Sequence, residues 1–305
     1  MKIERTRAAC LAALLMAVGP GHLQAAELKL ATWNLNWLTL RAPGSPGLPA
    51  DITRRSEDDF SRLRAYALEL DADVIALQEV DSYDAVRRVF PSDRYVLHLT
   101  RDRLTQKVGI AIRRGLRHDM HTDVRLSSDP TTPVRAGLDV TLATPVPLRV
   151  LAVHLKQGCQ DPKRDRAGGR DCTIFHAQTA PLVAWIADRE AEAAAFVVLG
   201  DFNRWMDRKD SFLTALRKAA PLARATEGYA SRCWRDEAFI DHILAGGPAR
   251  DWLRPDSLSV FRYREVGEGW KARLSDHCPV SARFVVATPA DIKPGHPATD
   301  THDGP

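Results

Sequence analysis

Short apolar segments of strand type, spread over most of the chain, are each followed at once by an acidic, amide or imidazole side chain. Residues that favour β-structure and then give way to Asn, Glu, His or Asp are typical of a site built at the ends of buried strands. The segments are ATWNLNW (31–37), IALQEV (75–80), LAVHL (151–155), VVLGDFN (197–203), FIDHIL (239–244) and LSDHCPV (274–280). We therefore expect a fold whose strands end together around one site.

The polar set at these strand ends is rich in hard oxygen ligands and includes several imidazoles. Carboxylate and amide oxygens bind divalent cations such as magnesium, which activate water and neutralise charge on a phosphate. The sequence therefore predicts metal-assisted chemistry on a phosphate. Other chemistries are disfavoured, because the chain has no Gly-x-Ser-x-Gly elbow, no Walker-type glycine loop and no dinucleotide fingerprint.

Strand-like runs recur along the chain and are separated in places by helical segments. Residues 55–70 place five apolar side chains on one helical face, and 174–190 has similar spacing, with Pro181 expected to end or kink a first turn. A loop and a short helix are expected over 205–220. The predicted strands are 28–34, 74–77, 95–99, 108–112, 137–142, 148–155, 196–199, 239–244 and 279–286. This order indicates α and β structure mixed in layers.

Length and composition leave the number of domains and the substrate open. A chain of 305 residues can form one large α/β domain or two smaller ones, and 45% hydrophobic residues suffice for a sizeable core. The formal net charge is +4, and the chain without its first 26 residues keeps 40 basic and 38 acidic residues. That balance is too even to indicate nucleic-acid binding by itself.

The two ends of the chain differ from its middle. A basic start, an apolar run over 8–18 and small residues at 25–26 have the layout of a secretory signal peptide, and the run is too short to span a membrane. We expect residues 1–26 to be a cleaved signal peptide, so that the protein is secreted or periplasmic. Residues 288–305 are rich in proline and poor in apolar residues, which predicts a disordered tail and leaves 27–287 for the folded part of the chain.

Export changes the interpretation of the cysteines. Four remain without Cys10, an even set in an oxidising compartment, and they allow three pairings. We favour Cys159–Cys172, which would close a short polar loop, together with Cys233–Cys278, which would join the two segments that carry the Asp-His pairs. A zinc site is disfavoured because no Cys-x-x-Cys spacing is present.

The order of the motifs WN, QE, H, GDFN, DH and SDH resembles the endonuclease/exonuclease/phosphatase superfamily, which includes pancreatic deoxyribonuclease-like phosphoesterases. The resemblance runs over residues 28–286. A single GDFN is weak evidence, whereas six motifs in the family's order are specific. The resemblance implies an α/β (α+β) four-layer sandwich, in which two mixed β-sheets pack face to face with helices on the outside.

The resemblance also implies a metal site formed by Glu79, Asn34 and Asp276. Glu79 matches the family's main metal ligand. Asn34 matches an asparagine that helps to hold the metal or its water, and Asp276 would face the metal directly or through water. Asn36 departs from the pattern, since many relatives have aspartate there, and this leaves the site one charge poorer. The expected cofactor is Mg²⁺ or Mn²⁺.

Five further residues would carry out catalysis according to the same resemblance. Asp201 would align or deprotonate the attacking water, and Asn203 would contact the phosphate. His154 would contact the phosphate or assist the leaving group. Asp241 would hydrogen-bond to His277, fix its tautomer and raise its basicity.

Each of these residues also has a structural interpretation. Glu79 could instead form a surface ion pair at the end of its strand. His154 could be a core histidine with its hydrogen bonds satisfied, and Asp201 could end its strand in an Asx turn. His242 points away from Asp241 across its strand, so we expect it to be structural.

Other polar and aromatic residues near the motifs are weaker candidates. The basic residues around the predicted Cys159–Cys172 loop are expected to form a solvated face, and the alternative is a loop that guides a polyanion. Lys107 is a candidate to reach a phosphate. Candidates to line the cleft are Trp37, Trp205 and Trp234.

Together these observations predict a secreted, divalent-metal-dependent phosphoesterase that breaks a P–O bond by direct attack of water. The leading substrate is DNA or RNA, hydrolysed as an endonuclease. The alternative is a phosphodiesterase or phosphatase acting on lipid head groups, as in sphingomyelinases, or on small phosphate esters. A catalytically dead binding module is disfavoured, because Asn36 alone among the matched positions departs from the family pattern.

Overall fold

The computed structural model describes residues 26–129, 131–167 and 169–286. The predicted signal peptide, apart from Ala26, and the predicted tail lie outside these residues. The strands are β1 (Ala26–Leu38), β2 (Val74–Val80), β3 (Tyr95–Leu99), β4 (Lys107–Arg113), β5 (His118–Met120), β6 (Leu138–Leu142), β7 (Leu148–His154), β8 (Ala195–Asp201), β9 (Leu222–Arg224), β10 (Ser231–Arg232), β11 (Asp236–Glu237), β12 (Asp241–Gly246), β13 (Ser259–Val260) and β14 (Val280–Val286). The α-helices are α1 (Glu57–Leu70), α2 (Tyr83–Val89), α3 (Arg170–Ala177), α4 (Thr179–Ala191), α5 (Ser211–Ala219), α6 (Ala249–Trp252) and α7 (Glu268–Arg273).

Twelve of the strands form two six-stranded sheets. The first sheet has the order β13-β14-β1-β2-β4-β3, and the second has the order β5-β6-β7-β8-β12-β9. Each sheet contains one parallel pair, β1 with β2 and β7 with β8, among antiparallel neighbours, so both sheets are mixed. The remaining strands, β10 and β11, form a small separate hairpin.

The two sheets pack face to face, because alternate strand residues point to opposite faces of a sheet. Leu28 and Leu30 of β1 belong to the core between the sheets, whereas Ala31 and Trp33 belong to a second core on the outer face. Helices α1 and α2 cover that outer face, and α3, α4 and α5 cover the outer face of the second sheet. The predicted four-layer sandwich is confirmed.

The helices begin and end where local chemistry dictates. Helix α1 begins at Glu57 rather than at the predicted residue 55, because Ser56 and Asp59 form a capping box. The predicted helical segment 174–190 is two helices, and the break at Gln178 precedes Pro181 by three residues. Pro181 lies in the first turn of α4, where its missing N–H is not needed, while α3 could not continue past it. No helix in the described part of the chain is both long enough and apolar enough to span a membrane.

The structure contains the favoured cysteine pairing. Cys159 and Cys172 are bonded across a Cα–Cα distance of 4.9 Å, and Cys233 and Cys278 across 5.4 Å. Both disulfides lie near the strand ends that carry the polar motifs, since Cys159 follows β7 and Cys278 immediately precedes Pro279 and β14.

Removal of either disulfide should destabilise the fold through the entropy of the unfolded chain. The bonded cysteines are 13 positions apart in the first disulfide and 45 positions apart in the second. On the chain-entropy account, replacing both cysteines of a pair by serine should lower the free energy of unfolding by about 3 kcal/mol for Cys159–Cys172 and about 4 kcal/mol for Cys233–Cys278. Urea unfolding of the two double variants measures this. Unchanged midpoints in both would show that neither bond forms in solution.

Candidate functional site

The strand ends of the two sheets meet at one edge of the sandwich. In the second sheet, β7 runs parallel to β8 with His154 opposite Asp201, and β12 runs antiparallel to β8 with Asp241 opposite Asp201. His154, Asp201 and Asp241 therefore lie side by side across three adjacent strands. In the first sheet, Asn34 of β1 lies opposite Gln78, immediately before Glu79.

Asn34 joins the two halves of the site. Its Nδ2 donates to Asp201 Oδ2 at 3.0 Å and to Glu79 Oε1 at 3.4 Å, while its Oδ1 accepts from the backbone N–H of Asn36 at 2.9 Å. Glu79 Oε2 in turn accepts from the N–H of Trp37 at 3.1 Å. The amide of Asn34 thus holds two carboxylates in place, and its oxygen faces the backbone in this arrangement.

Several residues of the site have left-handed backbone, which is uncommon for residues other than glycine and is concentrated at functional sites. They are Asn36 (φ 44°), Trp37 (φ 55°), Glu79 (φ 59°) and Asn203 (φ 50°). At Glu79 the register with β4 shifts between Leu77 and Val80, so Glu79 leaves the regular pleat of β2. The bulge explains how Glu79 reaches Asn34 although its neighbour Gln78 is the residue paired with Asn34.

Asp201 and Asn203 form a compact turn after β8. The N–H of Asn203 donates to Asp201 Oδ1 at 2.8 Å, and its Nδ2 contacts Asp201 Oδ2 at 3.2 Å and the carbonyl of Leu155 at 3.2 Å. The Asx turn that served as the structural interpretation is therefore present. It leaves Oδ2 of Asp201 facing the other polar groups of the site.

His277 is held from three sides. Its Nδ1–H donates to Asp241 Oδ2 at 2.8 Å, its backbone N–H donates to Ser275 Oγ at 3.0 Å, and its carbonyl accepts from the hydroxyl of Tyr263 at 2.8 Å. Its Nε2 is directed toward Asp201, 3.9 Å from Oδ2. On the other side of Asp201, Nε2 of His154 lies 3.5 Å from the same oxygen.

The charges of the site are set by its burial. Burial raises the pKa of Asp201 to about 7 and also raises the pKa of Glu79. Burial lowers the pKa of His154 well below its usual value, with a further contribution from the nearby positive charge of Arg135. For His277, burial acts to lower the pKa, but the neighbouring carboxylate of Asp241 raises it well above the usual value.

The donor set fits a divalent cation. Asp201, Asp241 and His277 each offer a ligand atom within 4.8 Å of the others, and Glu79 lies beyond His154 at 3.9 Å from its Nε2. Within the described residues, Asp241 Oδ1 and His154 Nδ1 are buried without a hydrogen-bond partner. Buried carboxylates with free lone pairs are costly unless a cation or a donor neutralises them.

Of the three predicted metal ligands, two contact each other inside the site and the third lies at its edge. Asn34 and Glu79 are in contact, whereas Asp276 is exposed at the rim, where its charge acts on Glu79 and His277. The three converging groups all belong to the set that sequence analysis assigned to catalysis.

Two arginines that contact the site, the buried Arg55 and the half-buried Arg135, were missed by sequence analysis. Arg135 donates to the carbonyls of His154 and Leu155, at 3.2 and 2.9 Å, and its charge acts on Glu79 and Asp201. Arg55 donates to five backbone carbonyls, including those of the left-handed Asn36 and Trp37 near the end of β1 and that of Leu274. Arg135 precedes a strand and Arg55 precedes a helix cap, and neither position carries a motif.

Lys107, and Lys156 near the loop between Cys159 and Cys172, each contact a neighbouring polar group. Lys107 Nζ donates to the carbonyl of Asp102, and Lys156 pairs with Asp171 at 2.8 Å. This is consistent with the solvated face expected of the loop.

His242 has structural contacts on the opposite side of β12. Its Nδ1 accepts from Thr226 Oγ1 at 2.6 Å, and its Nε2–H donates to the carbonyl of Arg204 at 2.9 Å. Burial lowers its pKa to about 3. The neutral ring is thus satisfied and well shielded from water.

The buried, neutral ring of His242 predicts that the folded protein loses stability in acid. The unfolded chain binds a proton at His242 near pH 6.5, whereas the folded protein does so only near pH 3, so stability falls as the pH drops through this window. Between pH 7 and pH 5 the contribution of His242 should be about 2 kcal/mol. Urea unfolding of wild type and His242→Gln at the two pH values measures it. An equal pH dependence in both proteins would contradict this assignment.

Two cavities adjoin the strand ends. The first, of about 330 Å³, is lined by Asp241, Asp276 and His277 together with Trp234 and Lys271. The second, of about 300 Å³, is lined by Trp205. Two of the three predicted cleft tryptophans therefore line these cavities, and Trp37 lies instead beside Glu79.

Comparisons with known proteins give the family and the fold of the chain. A model of the Endonuclease/Exonuclease/phosphatase family matches residues 31–277. No curated protein sequence matches the chain. Solved structures that are similar include truncated Caenorhabditis elegans TDP2 (14% identity, TM-score 0.57, covering 87% of this chain and 100% of that one).

Two further structures share the fold. They are the 3′ phosphatase NExo from Neisseria bound to product DNA hairpin (17% identity, TM-score 0.59, covering 84% and 99%) and the human Nocturnin catalytic domain with a bound sulfate anion (15% identity, TM-score 0.55, covering 85% and 94%). At these identities the likeness establishes the fold, and the family match extends over most of the described residues. The chain therefore belongs to the endonuclease/exonuclease/phosphatase family and is a hydrolase of phosphoric esters.

Proposed function

We propose that this protein hydrolyses phosphodiester bonds of DNA or RNA as an endonuclease, by direct attack of water and with Mg²⁺ or Mn²⁺ as cofactor. The observation that carries the proposal is the position of Asp201. Its Oδ2 lies within 3.9 Å of both imidazole Nε2 atoms and is held by the amide of Asn34. A carboxylate between two imidazoles can orient a water while the imidazoles contact the phosphate that it attacks.

Glu79 is the residue we propose to bind the cation, with Asn34 and Asp276 beside it. Glu79 is largely buried, and burial of its carboxylate raises its pKa, which a cation would offset. When bound, a divalent cation polarises the phosphate and neutralises the charge that develops on it. Asn34 would keep Glu79 and Asp201 at fixed separation, since its amide donates to both.

The other polar groups have complementary tasks. Asp241 orients His277, so that its Nε2 faces the same space as Asp201. His154 faces that space from the opposite side, and Arg135 places a positive charge behind it. Asn203 fixes the carboxylate of Asp201 through two hydrogen bonds, and its Nδ2 would reach a phosphate oxygen by exchanging its contact with the carbonyl of Leu155.

The similar structures support nucleic acid as the substrate class, because the NExo structure is bound to a product DNA hairpin. The mild net charge of +4 neither requires nor opposes this substrate. We also propose that the protein is exported as one domain over 27–287 after removal of residues 1–26, followed by a disordered tail. The basic and apolar N-terminus and the two disulfides support export.

A substrate panel with metal controls tests the proposal. Purified protein would be incubated with plasmid DNA, RNA, sphingomyelin, inositol phosphates and a bis-aryl phosphodiester, each with Mg²⁺, with Mn²⁺ and with EDTA. We expect internal cleavage of DNA or RNA that EDTA abolishes and added metal restores. Hydrolysis of sphingomyelin or inositol phosphates without nucleic-acid cleavage, or cleavage that persists in EDTA, would refute it.

A further inference from the structure

We propose that Trp205 forms a subsite that binds a nucleobase next to the scissile phosphate. This inference rests on the proposed nuclease function and adds a second binding position to it. The two cavities at the strand ends are contiguous, since Glu237, Ala238 and Ile240 line both. We call the cavity that contains Asp241 and His277 the catalytic lobe, and the cavity that contains Trp205 the tryptophan lobe.

The tryptophan lobe lies close to the catalytic residues, because two of the segments that line it follow strands β7 and β8. Trp205 follows the Asp201–Asn203 turn of β8, and its backbone N–H donates to the carbonyl of Gln160 at 2.9 Å. Gln160 follows β7 and His154 in the chain. A substrate whose phosphate lies between Asp201 and His277 would therefore extend a neighbouring group into this lobe.

Of the two tryptophans that line the lobes, Trp205 is the one available to a ligand. The ring of Trp234 is stacked on Tyr263 at 5.3 Å between centroids, and its Nε1 donates to the carbonyl of Ser275 at 3.0 Å. Trp205 is 40% exposed, and among the described residues its ring has neither an aromatic neighbour nor a hydrogen bond from its indole nitrogen. No aromatic ring among the described residues stacks on it, and it lines a cavity into which a planar ring could enter.

The charges of the tryptophan lobe favour a base over a second phosphate. Among the described side chains, its lining includes the acidic residues Asp161 and Glu237, the latter paired with Arg235, and no lysine or arginine. Carboxylates repel a phosphate, but they accept hydrogen bonds from the exocyclic amino groups of bases. The negatively charged phosphate groups of the substrate would stay in the catalytic lobe, where Lys271 and His277 lie.

The walls of both lobes are fixed before a ligand binds. Cys159 in the tryptophan lobe is bonded to Cys172, and its carbonyl accepts from the buried Arg204 at 2.8 Å. Cys233 ties the β10–β11 hairpin to Cys278, the residue after His277. A preformed cleft avoids much of the ordering cost of binding, which favours recognition by stacking.

A binding experiment without any phosphoester tests the subsite directly. The indole N–H resonances of ¹⁵N-labelled protein would be followed while 2′-deoxyadenosine is added, and the resonance of Trp205 would be assigned from the Trp205→Phe variant. We expect that resonance to shift with 2′-deoxyadenosine and to stay in place with choline. A shift with choline alone would assign the lobe to a quaternary ammonium group, and no shift with either probe would equally overturn the proposal.

Kinetics provide an independent readout on the substrate. On a single-stranded deoxyadenosine oligonucleotide, Trp205→Ala should raise KM about 5- to 150-fold, because stacking on an aromatic side chain contributes this much per base. On an oligonucleotide of the same length with abasic residues the variant should match wild type. Trp205→Phe should restore most of the loss, and Tyr83→Ala, which removes an equally exposed ring outside both lobes, should have no effect.

The outcomes separate the subsite from the proposed function. An equal loss on the base-containing and abasic oligonucleotides would overturn the subsite and leave the nuclease assignment standing. Absence of phosphodiester cleavage by wild type under every metal condition would instead refute the proposed function, while the nucleoside titration would still report on the tryptophan lobe.

Discussion

The His277→Ala and Asp241→Ala variants are each expected to lose most of the turnover, because the two side chains act as one unit. Asp241 Oδ2 accepts from His277 Nδ1 at 2.8 Å, and without that contact the imidazole loses both its orientation and the charge that stabilises its protonated form. A positioned acid–base group contributes roughly 10²–10⁴-fold to a rate. The measurement is kcat of the two single variants and of the double variant on the preferred substrate.

The double variant is the discriminating one. It should be little slower than His277→Ala alone, since groups that act together lose their effect together. Adding Asp201→Ala to either should cost more, because Asp201 serves the attacking water rather than the imidazole. Losses that multiply for Asp241 and His277 would show that they act separately. His242→Gln is the matched control, because His242 adjoins Asp241 in β12 and its contacts are with Thr226 and Arg204.

Glu79→Gln should strongly reduce metal affinity while the protein stays folded. The substitution keeps the volume of the side chain and its capacity to accept from Trp37 N–H, but it removes the charge that would bind the cation. Burial disfavours the charged form of Glu79, so the neutral glutamine should not destabilise the fold. Activity measured against Mg²⁺ concentration should show a large rise in the metal concentration needed for half-maximal rate.

Asp81→Asn is the control for this experiment. Asp81 is an acidic residue two positions further along the same strand end, and its carboxylate pairs with Arg41 at 2.8 Å and accepts from Thr39. Its substitution should leave the metal dependence unchanged. Near wild-type activity of Glu79→Gln at limiting Mg²⁺ would exclude Glu79 as the metal ligand.

Much of the fold is local enough to be predicted from the sequence. Strand β3 begins and ends at the predicted residues, because Tyr95–Leu99 is a β-forming run between turns. The ends of strands β7, β8 and β12 were predicted to within a few residues, because each strand is a buried apolar run. Strand β7 ends at His154, β8 ends at Asp201 and β12 begins at Asp241. The period-2 pattern then places their polar ends in one row.

What sequence analysis missed depends on contacts between distant segments. Arg55 donates to carbonyls that lie up to 219 positions away, and no local pattern marks a residue of that kind. The positive φ of Glu79 comes from a bulge in its pairing with β4, which the motif does not reveal. The β10–β11 hairpin consists of two short strands in an exposed segment without apolar alternation.

The most direct test of the central claim, that the strand ends around Asp201 form a metal-dependent catalytic centre, is the turnover of Asp201→Asn. Asp201 is 1% exposed and burial raises its pKa to about 7, so the loss of its charge should leave the protein folded, although the new amide nitrogen would face the Nδ2 donors of Asn34 and Asn203. Circular dichroism and unfolding can verify this. With saturating Mg²⁺, wild type should hydrolyse a phosphodiester and lose that activity in EDTA. The folded variant should be slower by about 10²-fold or more. A folded Asp201→Asn with wild-type turnover would contradict the account.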